Sequence, residues 1–133
     1  MRAHNTLIVG SIVIAGFAAR ALQAGSPPAP DPLEAYPQNY TVLVENERVR
    51  VLDFRLAKGA SEDFHRHPAN VAVFLGEFKI RFTFPDGHTA IRDAHAGDVG
   101  YSESVVHASQ NIGDSDAHGI LIELKQPIAG ATG

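Results

Sequence analysis

From Thr41 to Leu124 short β-type segments are separated by turn residues, and no stretch keeps the apolar spacing of a helix. Phe78 to Phe84 shows this most clearly. Phe78, Ile80, Phe82 and Phe84 fall on one face, Lys79, Arg81 and Thr83 on the other, and Pro85-Asp86-Gly87 ends the run with a turn. The same reading gives strands at Thr41–Glu45, Arg48–Ala57, Val71–Leu75, Thr89–His95, Val99–Ser102, His107–Asn111 and His118–Leu124, with another through His65 and His67. About eight or nine short strands at this spacing predict an all-β domain, built as a closed barrel or a two-sheet jelly roll.

The chain of 133 residues suits a single domain of this kind, and its 44% hydrophobic content is enough for a core. It has no cysteine. Disulfides, thiolate ligands, iron–sulfur clusters and cysteine nucleophiles are therefore excluded, and any metal must be held by nitrogen and oxygen. Leu7 to Ala19 is an unbroken small and apolar run, followed by small residues at Ala19, Ala21 and Ala24. Residues 1–24 read as a cleavable signal peptide, because the apolar run of 13 residues is shorter than the roughly 20 of a membrane span. The expected location is the periplasm or the exterior, with an uncleaved N-terminal anchor as the alternative.

Residues 25–39 carry five of the eight prolines and read as a linker with neither helix nor central strand. The folded domain is expected at 40–125, with a flexible tail at 126–133. Loss of Arg2 and Arg20 with the signal peptide would move the formal net charge from −4 to −6. So acidic a domain is poorly suited to nucleic acid or to an anionic membrane surface.

Within this β pattern, His65 and His67 stand at i and i+2 and project from one face of their strand. His107, brought alongside by strand pairing, would complete a three-nitrogen site with coordination positions open for chemistry. Imidazole binds only when neutral, so occupancy should weaken below about pH 6.5.

Gly59, His65, His67 and Gly76, followed by Gly97, His107 and Asn111, resemble the two motifs of the cupin superfamily over roughly residues 40–125. The resemblance implies a single-domain cupin-like jelly-roll barrel of the small bacterial type. It also implies a divalent metal on His65, His67 and His107. The motif's usual glutamate is absent, Val71 and Ala72 standing at its positions, and Glu103 and Val105 replace the proline and glycine of the second motif. This resembles the three-histidine cupins that use iron(II), with Asn70 or water as a further ligand. Iron(II) or manganese(II) is the expected ion, with zinc(II) and nickel(II) as alternatives.

Around these ligands the sequence offers Glu103 as a general base, Tyr101 as a hydrogen-bonding partner and His118 as a proton carrier. Arg81, Phe64 and Gln110 are the candidates for substrate binding, Arg81 for an anionic group. Asn111 reads as structural, and His88 and His95 as exposed turn residues. The expected function is a metal-dependent oxygenase, isomerase or lyase acting on a small polar molecule. The alternative is a non-catalytic module binding a small ligand or a metal in the cell envelope. Exposed sheet edges make a homodimer the expected protein–protein association.

Overall fold

The computed structural model describes residues 28–126, so the signal-peptide reading and nearly all of the C-terminal tail lie outside it. A short helix α1 (Pro32–Ala35) precedes nine strands. These are β1 (Tyr40–Glu45), β2 (Val49–Leu56), β3 (Ser61–His67), β4 (Asn70–Phe74), β5 (Phe78–Thr83), β6 (Thr89–Ala94), β7 (Val99–Ser102), β8 (Val105–Asn111) and β9 (Ala117–Leu124). They form two antiparallel sheets, one ordered β1-β2-β9-β4-β7 and the other β3-β8-β5-β6. The expected segmentation is met strand for strand.

Alternation decides which side chains enter the core. Leu52, Phe54 and Leu56 of β2 and Phe74 of β4 meet Phe78 and Ile80 of β5 in one buried cluster. Phe78 lies edge-on to both Phe54 and Phe74, with centroids 6.2 and 5.2 Å away. Gly119 makes room for Phe54, since a Cβ there would lie 2.4 Å from the Phe54 ring. Two turn glycines, Gly59 and Gly97, adopt φ of 77° and 91°, a region that penalises any Cβ. Both turn the chain back into the body of the fold.

The proline-rich stretch is not wholly irregular, which corrects the linker reading of residues 25–39. Asp31 caps α1 by accepting a hydrogen bond from the Leu33 N–H at 3.0 Å, and Pro32 occupies the first turn, where its missing N–H costs nothing. Leu33 and Tyr36 then pack against the core. Arg50 clasps Asp31 at 2.7 Å. The tertiary contacts hold a helix of four residues that would not persist alone.

Candidate metal centre

The site is built on the pairing of β3 with β8, which sets His65 directly opposite His107. His67, two residues on, shares the inward face. A bulge between Glu62 and His65 inserts one extra residue into β3, so that Glu62, His65 and His67 are all buried while Asp63 and Phe64 turn outward. The three imidazole centroids are 4.9, 5.0 and 5.3 Å apart, and one ligand nitrogen from each lies within 4.8 Å of the others.

Each ring is held by a different partner. His65 Nδ1 donates to the Asp63 carbonyl at 2.7 Å, which leaves Nε2 as the bare lone pair. That Nε2 is buried and has no hydrogen-bond partner among the described residues. His67 Nδ1 donates to Glu123 Oε1 at 3.2 Å, and Glu123 Oε2 accepts from Arg50 Nε at 2.7 Å. Arg50 continues to Asp31, so a chain of charge runs from α1 to a metal-site ring. His107 is stacked on Phe82, at 4.7 Å and 29°.

The electrostatics favour the neutral form of His65 and His107. Burial, aided by the two neighbouring imidazoles, pushes the His107 pKa down to about 3. Burial likewise lowers His65, partly opposed by its bond to the Asp63 carbonyl. For Glu123 burial works to raise the pKa, but the bonds from His67 and Arg50 prevail and hold it below the ordinary value. Three converging imidazoles, one with an orphaned buried nitrogen, fit a divalent ion of the borderline kind that binds histidine. An unsatisfied buried nitrogen is costly unless something ligates it.

His67, His107 and Asn70 line a cavity of about 200 Å³ between the sheets, together with Phe54, Phe74, Phe78, Ile80 and Phe82. Asn70 Nδ2 donates to the Pro68 carbonyl at 3.0 Å, and its amide oxygen accepts no bond among the described residues. Asn111 is structural, its Nδ2 reaching the Leu56 and Ser115 carbonyls and its Oδ1 accepting from Gly113 N.

The expected catalytic and substrate-binding residues do not line this cavity. Tyr101 points outward from β7 and is 60% exposed, and Glu103 is exposed in the turn to β8. Adjacency in sequence to His107 misled here, because Gly100 and Ser102 are the inward positions of β7. His118 is on the outer face of β9, its Nε2 2.8 Å from Asp53 Oδ2. Phe64 faces out at the bulge, 39% exposed. Arg81 and Gln110 are neighbours, but on the outer face of the four-stranded sheet. They border a surface depression with Tyr36 and Asp63.

Three residues of the cavity and its surround had gone unnoticed. Glu62 is buried at the cavity wall, accepting bonds from Asn39, Tyr40 and Ser109. The bulge concealed it, since strict alternation places it opposite to His65. Arg92 of β6 also lines the cavity. Glu123 was legible in principle, as a carboxylate in the inward row Ala117, Gly119, Leu121 of β9, paired in register with Arg50 in the inward row of β2.

Two antiparallel sheets enclosing three inward imidazoles define a β-barrel whose histidines could hold a metal ion. No family model matches the chain, and no curated protein matches it. Solved structures do. A cupin domain from Bordetella pertussis Tohama I is 28% identical, with a TM-score of 0.60 over 65% of this chain and 92% of that one. An RmlC-like cupin with a double-stranded β-helix fold from Methanocaldococcus jannaschii is 16% identical, with a TM-score of 0.53 over 65% and 78%. A variant of oxalate decarboxylase from Bacillus subtilis is 23% identical, with a TM-score of 0.50 over 65% of this chain and 24% of that one. The chain belongs to the cupin superfamily.

Proposed function

We propose that the protein is an exported, mononuclear metal-dependent enzyme that transforms a small molecule held in the inter-sheet cavity. One observation carries this reading: His65 Nε2, buried and without a hydrogen-bond partner among the described residues, stands beside His67 and His107, which line a cavity. His65, His67 and His107 would hold the ion, and Asn70, which lines the same cavity, is the candidate for a further ligand through its amide oxygen. A divalent ion there supplies Lewis acidity and open coordination positions, as oxygenase, isomerase or lyase chemistry requires. The hydrophobic walls exclude water and orient the substrate's apolar part. Asp63 and Glu123 fix the tautomers of two ligands.

Elemental analysis of the purified chain, followed by titration with manganese(II), zinc(II) and anaerobic iron(II), tests the reading. One ion per chain is expected, lost in His107→Ala. Persistent failure to bind any of the three would overturn it. Export is supported by the apolar run Leu7–Ala19 and is checked by whether the full chain, expressed in a bacterium, appears in the periplasm in shortened form.

A second reading, a non-catalytic binding module, draws on Glu62. It is the only carboxylate lining the cavity among the described residues, and three hydrogen bonds engage it. A metal-loaded protein that binds small molecules without consuming oxygen or converting them would favour this reading.

A further inference from the structure

Arg92 is the only lysine or arginine lining the metal cavity among the described residues. Its position follows from the register. Arg92 of β6 pairs with Ile80 of β5, whose side chain is in the core, so both point into the space between the sheets. Because β6 and β7 are the outermost strands of their respective sheets, the long side chain can reach the seam between them. Its guanidinium carbon sits 5.2 Å from the centre of the Phe74 ring. A Cβ on Gly100 of β7 would lie 2.8 Å from Arg92 Nη2, so the missing side chain makes the berth for the guanidinium.

What distinguishes this arginine is that it lines the cavity with its donors unspent. Arg50 is divided between Asp31 and Glu123, and Arg55, Lys79 and Lys125 each meet a carboxylate. Arg92 has no carboxylate and no side-chain hydrogen bond among the described residues. The contact with Phe74 uses no hydrogen-bond acceptor and leaves the N–H fork available. Arg92 is solvent-exposed while bordering the cavity, so it stands where the cavity opens. The opposite wall is aromatic and aliphatic, and the interior carboxylate Glu62 is already engaged.

We propose that Arg92 recognises the substrate's anionic group, and that the substrate class is a small carboxylate with an apolar body. The carboxylate would take the planar fork in bidentate fashion, and the body would lie along Phe74, Phe78 and Phe82 toward the imidazoles. This residue takes the role that sequence reading had given to Arg81. The substrate class rests on the metal-dependent reading for its place in a reaction, whereas the anion contact stands on the cavity alone.

Calorimetric titration of the full chain, with and without zinc(II), separates the two. The probes are benzoate and phenylacetate, each compared with its neutral amide. The expected result is a preference for carboxylate over amide of about tenfold, present without zinc. Arg92→Met should reduce that preference to about twofold or less while zinc affinity stays unchanged. A preference that survives Arg92→Met, or equal binding of acid and amide by the unsubstituted chain, would overturn the proposal. Failure to bind zinc with an Arg92-dependent preference intact would sink the metal reading and leave the anion contact standing.

Discussion

Glu123 does for His67 what a backbone carbonyl does for His65, and at 1% exposure it can do so only because Arg50 shares its charge. Glu123→Gln keeps the shape but removes the charge. It should weaken metal binding by about 10–100-fold, the usual cost of a lost outer partner, measured by competition with a chromophoric chelator. Glu123→Ala also strips a buried pair of one member and should cost about 3 kcal/mol in urea unfolding. The titrating groups predict the pH response of the metal-free protein. His107 takes up a proton at about pH 3 when folded but near 6.5 when unfolded, and His65 shifts in the same direction. Between those values the unfolded chain binds more protons, so stability falls as pH drops from about 6.5 toward 3. Glu123 and Asp31, both lowered by their partners, add to the loss as pH falls through the carboxylate range. A urea midpoint flat or rising from pH 7 to pH 4 would contradict this assignment.

Among the elements, α1 and the β3 bulge act together. The Tyr36 hydroxyl accepts from the Asp63 N–H, and the Asp63 carbonyl orients His65, so the helix end braces the bulge that presents a ligand. Asp31 braces the other route, through Arg50 and Glu123 to His67. Asp31→Ala with Tyr36→Phe should therefore lower stability by about 1–2 kcal/mol, a cap lost as well as an ion pair. It should also weaken metal binding while the all-β circular dichroism spectrum persists. Unchanged metal affinity would show that α1 serves the fold alone. The strands themselves were legible, because alternation in Phe78–Phe84 and glycine-marked turns report local geometry. The helix was not, since only its packing partners stabilise it.

At the scale of the molecule, the two sheets meet through side chains whose fit leaves little slack. Gly119→Ala would thrust a methyl to within 3.0 Å of the Val73 carbonyl as well as against Phe54, and a loss of about 1–3 kcal/mol is expected by thermal unfolding. Metal binding is coupled to the same barrel, since the ligands converge only when β3 and β8 are paired. Free zinc(II) at about 100 times its dissociation constant should stabilise the chain by about 2.7 kcal/mol. His107→Ala should abolish that gain, and a chain with no zinc-dependent shift would argue against the site.

The sequence alone determined the local quantities: a run of short strands, the turns that separate them, and three histidines spaced so that β pairing could gather them. Strand periodicity and motif spacing are short-range facts, readable from side-chain alternation. Which residues share the cavity was decided by the tertiary structure. Register and the bulge turned Glu62 inward, the inward rows of β9 and β2 brought Glu123 and Arg50 to the interior, and β6 set Arg92 at the border of the cavity. Tyr101, Glu103 and His118 were left outside. Distance along the chain carries no information about proximity across two sheets, because strands that pair in space come from remote parts of the sequence.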